Sequence, residues 1–131
     1  MNPLLHRYDF GGSSSAVASA FSTTRHGGVS QGLFGTFNIN PFCGDSAEAV
    51  SANRLALAGE LGISDEAIIL PHQVHGDRCL VVDATLMHLD GEQRKARLDG
   101  VDCVMSCLSG VCIGVSTADC IPVLLYDDEH H

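Results

Sequence analysis

Residues 45–62 read DSAEAVSANRLALAGELG and give the clearest structural prediction in the chain. Their apolar side chains recur at helical spacing and predict one buried face, formed by Val50, Leu57, Ala58 and Leu61. Asp45 is placed to cap the start of this helix, with a glutamate three positions later, and Gly62 is placed to end it. The pattern therefore predicts a helix over residues 46–61, with Asn53 pointing away from the apolar face.

Outside this helix, short runs of apolar and β-branched residues predict strands. The runs are residues 16–24, 67–70, 79–82, 101–106, 111–117 and 121–126. The first run meets a turn at Gly27 and Gly28, and residues 85–100 are polar and ambiguous. The combination indicates an α/β or α+β protein.

Length and composition indicate one ordinary globular domain. The chain has 131 residues, of which 45% are hydrophobic and 18% charged. Its longest apolar stretch, residues 111–126, is interrupted by Asp119 and Pro122 and is shorter than the ~20 residues that span a bilayer. With no signal-peptide pattern at the start, we expect a soluble, cytoplasmic protein with no membrane partner.

Charge and cysteine content further limit the classes of function that the chain can have. Sixteen acidic against seven basic residues give a net charge of −9, which disfavours a nucleic-acid partner because phosphate binding needs Lys and Arg. The one basic cluster, Arg94, Lys95 and Arg97, is interpreted as a solvated loop or helix face. In a reducing compartment the six cysteines are expected to be buried thiols, plus one ligand or nucleophile.

Reactive side chains collect in three turn-like segments, FSTTRHGGVS at 21–30, PHQVHG at 71–76 and STADCIP at 116–122. His75 and Cys120 suit zinc or copper, but a catalytic zinc usually has three protein ligands and two are not enough. A hydrogen-bonded histidine and a small buried thiol remain the alternative interpretations of these two residues.

Three further polar residues in these segments are candidates for supporting roles. Asp119 and Gln73 are candidates either for hydrogen-bonding the metal ligands or for carrying protons. Arg25 is either a surface charge or, next to two glycines, a planar donor for an anionic or sugar ligand.

Seven segments in order resemble the pattern of the YfiH family, formerly described as multicopper polyphenol oxidases or laccase-domain proteins. They are FSTTRHGGVS at 21–30, TFNIN at 36–40, CGD at 43–45, NR at 53–54, QVHG at 73–76, DGVD at 99–102 and TADCIPV at 117–123. The resemblance covers roughly residues 20–126.

The resemblance implies an α+β fold with layered mixed β-sheets flanked by helices, similar to the catalytic domain of cytotoxic necrotising factor. Residues 1–131 would then be the N-terminal portion of a single, incomplete YfiH-like domain. Some strands would lack neighbours, and an exposed strand edge favours self-association.

The resemblance also implies a metal site. His75 and Cys120 correspond to two of the family's ligands, for zinc or alternatively copper. The third, a histidine in a His-Ala-Gly-Trp segment, has no match and is expected beyond residue 131. By the same resemblance Arg25 and Asn38 line the pocket and Asp119 positions ligands or substrate. The predicted catalytic set is Arg25, Asp119 and Cys120, and the predicted substrate-binding set is Arg25, Asn38 and Gln73.

The activity that the resemblance implies for a full-length member is purine nucleoside phosphorolysis and adenosine deamination. The small-molecule partners would be adenosine, inosine or methylthioadenosine, with phosphate. The alternatives are a peptidoglycan-precursor editing amidase acting on a UDP-muramyl amino acid, and a non-catalytic truncated chain. Laccase chemistry is less favoured, because seven scattered histidines do not supply several copper sites.

Overall fold

The computed structural model describes residues 4–11 and 17–131. Its elements, in chain order, are β1 Leu5–Tyr8, β2 Ala20–Thr23, α1 Ala47–Leu61, β3 Ile68–Ile69, β4 Cys79–Val81, α2 Ala84–His88, α3 Gly91–Leu98, β5 Cys103–Met105 and β6 Cys112–Ile113. They belong to two compact units, one formed by residues up to Ala56 together with Pro122–His131, the other by Leu57–Ile121.

Helix α1 confirms the prediction over residues 46–61 within one residue, but its start differs from expectation. Ser46, not Asp45, is the capping residue, because its Oγ accepts from the backbone N–H of Ala49 at 3.1 Å. The helix ends at Gly62 as predicted, with φ of +68°. The N–H of Ile63 returns to the carbonyl of Ala58 at 3.1 Å, as in a Schellman motif.

The expected orientation of Asn53 was wrong. Its side chain lies on the buried face of α1 with only 1% of its surface exposed. Position 53 is three residues after Val50 and four before Leu57, so helical geometry places it on their face. A polar residue can occupy such a face when all its hydrogen-bonding groups find partners, and those of Asn53 do.

Within the described residues the strands form three two-stranded sheets, one antiparallel and two parallel. Together with the helices, these sheets confirm the α+β expectation. Strands β1 and β2 are antiparallel, while β3 pairs with β6 and β4 with β5 in parallel. Strands form within five of the six predicted runs, and each is shorter than predicted. Residue 16 of the first run lies outside the described residues.

The sixth run, residues 121–126, forms no strand, contrary to the prediction. A β-strand is defined by hydrogen bonds to a neighbour, and the described residues provide none for this segment. Its apolar side chains are consequently exposed, with Ile121 at 89% and Leu125 at 90%.

The ambiguous residues 85–100 form two short helices. Asp90 and Gln93 make a reciprocal capping box at the start of α3. The basic cluster interpreted as solvated lies on this helix, but Arg94 is half-buried and donates to the backbone carbonyls of Glu66 at 3.0 Å and Met87 at 2.7 Å. Arg94 therefore links α3 to the chain before it, while Lys95 and Arg97 are exposed as expected.

A hydrophobic core holds the second unit together and fixes strand β4. Its buried members are Ile69, Leu80, Val82, Leu86, Leu98 and Val101. The polar segment 71–78 is continuous with buried core residues at both of its ends. Its ends are therefore anchored, although most of its side chains are exposed. No helix in the described ranges has the length and apolarity needed to cross a bilayer.

Candidate functional site

Arg25 follows β2 at the start of a loop that turns back on itself. Its Nε and Nη2 both donate to the carbonyl of Gly35, at 3.3 and 3.0 Å, and its own carbonyl accepts from the backbone N–H of Thr36 at 2.8 Å. The guanidinium is exposed, and its Nη1 makes no hydrogen bond to any residue that the structure describes. Arg25 is thus held at one edge and open to an anion at the other.

Gly28 lets this loop pack closely. A Cβ on Gly28 would clash with the carbonyl oxygen of Thr36 and would lie 2.6 Å from both Asn53 Oδ1 and Phe37 Cα. No side chain fits that space, because two of these neighbours are backbone atoms. The loop carrying Arg25 therefore depends on glycine at this position.

Asn53 connects this loop to helix α1. Its Oδ1 accepts from the backbone N–H of Val29 at 2.9 Å, and its Nδ2 is within hydrogen-bonding distance of three oxygens. These are Ser30 Oγ at 2.9 Å, the Thr36 carbonyl at 3.2 Å and the Asn38 carbonyl at 2.8 Å. One buried amide thus supports both sides of the Arg25 loop.

Asn38, predicted to bind substrate, has its side chain engaged inside the protein. Its Nδ2 donates to Asp45 Oδ2 at 3.1 Å, and its Oδ1 accepts from the N–H of Asn40 at 3.0 Å. The pKa of Asp45 is lowered, first by the hydrogen bond from Ser30 and then by that from Asn38, against a smaller opposing effect of burial. The Asn38 side chain is therefore part of the scaffold of this loop.

His75 stands in an unusual backbone conformation, with φ of 63°. The consecutive N–H groups of Val74, His75 and Gly76 all point to the carboxylate of Asp102, at 3.2, 2.9 and 2.9 Å. Such a run of converging amides forms an anion-binding nest, here filled by the protein's own carboxylate. Asp102 thereby fixes the turn, and the exposed imidazole of His75 makes no hydrogen bond within the described ranges.

The pKa of Asp102 reflects this arrangement. Desolvation is the largest single influence and raises the pKa, but the hydrogen bonds from Gly76, Val74 and His75 together outweigh it. The pKa is consequently below its ordinary value, and Asp102 is ionised at neutral pH. A charged carboxylate is the stronger acceptor for three amides.

Gln73 ties the same turn to the segment that leads to Cys120. Its Oε1 accepts from the backbone N–H of Ser116 at 2.7 Å, and its Nε2 donates to the Ser116 carbonyl at 3.1 Å. This two-bond clamp engages both the oxygen and the nitrogen of the amide group. Gln73 therefore acts in the structure as a positioning residue between residues 73–76 and 116.

Asp119 and Cys120 lie beyond this clamp in an exposed bend, and neither side chain hydrogen-bonds within the described residues. The predicted site residues thus divide between the two units: Arg25 and Asn38 belong to the first, and Gln73, His75, Asp119 and Cys120 to the second.

The residues present fit a metal ion in type but not in number. A histidine nitrogen and a cysteine sulfur suit zinc or copper. Among residues 4–11 and 17–131, however, no three His, Cys, Asp or Glu side chains form a group that would hold a metal ion. His75 and Cys120 do not make a complete site by themselves.

Sequence reasoning assigned no role to four of the residues that hold these turns, namely Asp102, Ser116, Asn53 and Ser30. Of these residues only Ser116 lies outside the segments that carried the family resemblance, but a motif does not show which of its residues face inward. The sequence contained one signal for each of two of these residues. Asn53 occupies a position on the buried face of the helix, and Asp102 is an acidic residue in the DGVD segment.

Comparison with known proteins gives consistent family relationships. The profile of the family described as "Multi-copper polyphenol oxidoreductase laccase" matches residues 19–131. The chain is 38% identical over 118 residues to a purine nucleoside phosphorylase of Bacteroides thetaiotaomicron, covering 90% of this chain and 44% of that protein. It is also 38% identical to adenosine deaminase RL5 from an unknown prokaryotic organism, covering 95% of this chain and 47% of that protein. The chain thus spans less than half the length of these relatives.

Solved structures agree. YlmD from Geobacillus stearothermophilus matches with a TM-score of 0.72 at 30% identity, covering 91% of this chain and 46% of that one. The YfiH protein of Bacillus licheniformis matches with a TM-score of 0.68 at 25% identity, covering 78% and 38%. The family resemblance and the fold class read from the sequence are both confirmed. The chain belongs to the YfiH-like, multi-copper polyphenol oxidoreductase laccase family.

Proposed function

We propose that this chain is part of an enzyme that processes purine nucleosides, by phosphorolysis of inosine, adenosine or methylthioadenosine and by deamination of adenosine. The observation that carries the proposal is the similarity to relatives named purine nucleoside phosphorylase and adenosine deaminase over 90% and 95% of the chain. The family match spans all six predicted site residues, from Arg25 to Cys120.

The environment of Arg25 supports a role in binding phosphate. Its fork is held on the Gly35 carbonyl, the residue is exposed, and Nη1 makes no hydrogen bond within the described residues. In phosphorolysis a phosphate oxygen bonds to the ribose carbon while the bond from that carbon to the purine nitrogen breaks. A guanidinium that orients the attacking phosphate lowers the entropy cost of this step. We assign Asn38 and Asp45 to supporting that loop, and Asp119 to positioning substrate.

Arg25→Ala tests this assignment. Phosphorolysis of inosine should fall about 100-fold, with a raised KM for phosphate, because an oriented donor is lost. Deamination of adenosine, which consumes water instead of phosphate, should change much less. Arg97→Ala, which removes an exposed cation from α3, serves as the control, and the Bacteroides phosphorylase validates the assay. Unchanged phosphorolysis in Arg25→Ala would overturn the role.

We further propose that the enzyme depends on zinc, or alternatively copper, with His75 and Cys120 as two of its ligands. The donor types and the fixed turn around His75 support this, although the described residues lack a third ligand. Elemental analysis should show less bound metal in His75→Ala and Cys120→Ser than in the His26→Ala control, where an exposed histidine is removed. Equal metal in all three variants would contradict the assignment.

The editing amidase remains the alternative outcome of the same assays. Turnover of a UDP-muramyl amino acid, with none of purine nucleosides, would replace the proposed function. No contact in the described structure favours this second substrate.

We also propose self-association through the exposed segment 121–125. Leu125 is 90% exposed and the segment has no strand partner among the described residues. Leu125→Lys should shift the protein toward the monomer in sedimentation velocity, whereas Lys95→Ala, which changes a charge on α3, should not. An unchanged mass distribution in Leu125→Lys would count against pairing through this segment.

A further inference from the structure

Two cysteines face each other across the β4–β5 ladder. The parallel register pairs Cys79 directly with Cys103, and their Sγ atoms are 2.7 Å apart. Both residues are exposed, so the expectation of buried thiols was wrong for them, and both thiols are free. None of the proposed catalytic or metal-binding roles uses either of them.

The strands hold this pair in place from the other face. Leu80 and Val104, the next register pair, point inward, where Leu80 is part of the buried core and Val104 packs against it. Because side chains alternate along a strand, the cysteines project to the opposite, exposed face. Paired residues on neighbouring strands stand ~4.8 Å apart, within the range of Cα separations that a disulfide spans. Forming the bond requires the sulfurs to approach by less than about 1 Å.

We propose that Cys79 and Cys103 are a reversible dithiol–disulfide pair that is oxidised by small-molecule disulfides of the glutathione type. The thiolate of Cys103 attacks one sulfur of the small disulfide, forming a mixed disulfide and releasing one small thiolate. Cys79 then loses its proton to solvent and attacks Cys103 Sγ, releasing the second small thiolate. The two cysteines are oxidised by two electrons, and the small disulfide is reduced to two thiols.

The surroundings of Cys79 favour one order of attack. The hydrogen bond that Cys79 donates to Cys103 raises the pKa of the Cys79 thiol, and desolvation and repulsion between the two sulfurs add to this. A thiol that keeps its proton is a poor first nucleophile. Cys79 is accordingly assigned as the resolving thiol and Cys103 as the attacking one, an order that the Cys79→Ser variant tests.

The link would act on the turn that carries His75. Cys103 directly follows Asp102, the carboxylate that holds the backbone of that turn, and Cys79 lies four residues after His75. A covalent bond between the two strands would keep Asp102 and the turn together when the ladder fluctuates. Oxidation should therefore slow local opening of residues 74–76.

The test exposes the protein to oxidised glutathione, blocks the remaining thiols with iodoacetamide and maps the peptides by mass spectrometry. A Cys79–Cys103 link, lighter by two hydrogen atoms and reversed by dithiothreitol, is expected in the wild type. Cys107→Ser, which removes another exposed thiol, should form the same link. Cys79→Ser should instead retain glutathione on Cys103.

Two physical measurements on the wild-type protein complete the test without relying on the folding of any variant. The oxidised protein should melt about 5–10 °C higher than the reduced protein, as expected for closure of a loop of this size. Its amides at 74–76 should exchange more slowly. Alkylation of Cys79 and Cys103 to the same extent as Cys107, or links formed equally among all cysteines, would overturn the proposal.

Discussion

The Arg25 loop and the His75 turn are both irregular backbone segments held in one conformation. Different groups of the protein hold them. The Arg25 loop is supported from below by a buried side-chain amide, that of Asn53. The His75 turn is supported by a half-buried carboxylate, that of Asp102, which gathers three backbone N–H groups.

The difference concerns what each arrangement leaves available for chemistry. In the loop, the side chains of Arg25 and Asn38 make hydrogen bonds that hold the loop itself. Only part of the Arg25 guanidinium is therefore open to a ligand. In the turn, residues 74–76 contribute only backbone N–H groups to the hydrogen bonds with Asp102, so the imidazole of His75 is left without a hydrogen bond in the described structure. Buried support should therefore dominate stability, and the exposed turn should dominate local dynamics.

The largest effect is expected from Gly28→Ala. The new Cβ would collide with backbone atoms of Thr36 and Phe37, which cannot move without disturbing the loop. We expect a loss of about 3 kcal/mol in the free energy of unfolding. Urea unfolding followed by circular dichroism measures it. Gly59→Ala in α1, where a Cβ meets nothing within 4 Å, is the control and should be neutral or stabilising. Equal stability of the two variants would refute the tight packing.

Asn53→Ala should have the next largest effect. It leaves the N–H of Val29 and the carbonyl of Asn38, whose hydrogen bonds to Asn53 are part-buried, without their side-chain partner. Each unsatisfied group costs ~1–3 kcal/mol, so we expect a loss of about 2–3 kcal/mol by urea unfolding. Ser51→Ala, an exposed change on the same helix, should stay within ~0.5 kcal/mol. A similarly small effect of Asn53→Ala would show that the loop is held in another way.

Asp102→Ala should change dynamics more than global stability. Without the carboxylate, the N–H groups of residues 74–76 lose their common acceptor. Their hydrogen exchange, measured by NMR, should quicken at least about tenfold. Asp77→Ala removes an exposed carboxylate beside the same turn and should leave these rates unchanged. Unaltered exchange in Asp102→Ala would mean that Asp102 does not hold the turn.

The smallest effect is expected from the pH dependence of Asp45. Because its pKa is lowered in the folded state, its contribution to stability is present above the unfolded pKa of ~3.9. That contribution is lost as the pH falls through the folded pKa. Asp45→Asn should therefore make the loss of stability between about pH 5 and pH 3 shallower than in wild type. Glu48→Gln, in the first turn of α1, is the control, and parallel curves for wild type and Asp45→Asn would contradict the prediction.

The sequence by itself determined helix α1, most of the strands and the family. Residues 46–61 have a strong period, and strand runs such as 79–82 are bounded by polar residues, so local patterns were sufficient. The motif order likewise predicted the family that the comparisons confirm. These are properties of neighbouring residues, which a linear sequence records directly.

Only the tertiary structure decided which polar residues are scaffold and which are open. Asn53 and Val29 are 24 positions apart, Gln73 and Ser116 43, and Cys79 and Cys103 24. The run 121–126 looked like a strand by composition, yet pairing depends on a neighbour that no local pattern can supply. Hydrogen bonds between distant segments form only when the whole chain has packed, and they therefore decide the surroundings of Arg25 and His75.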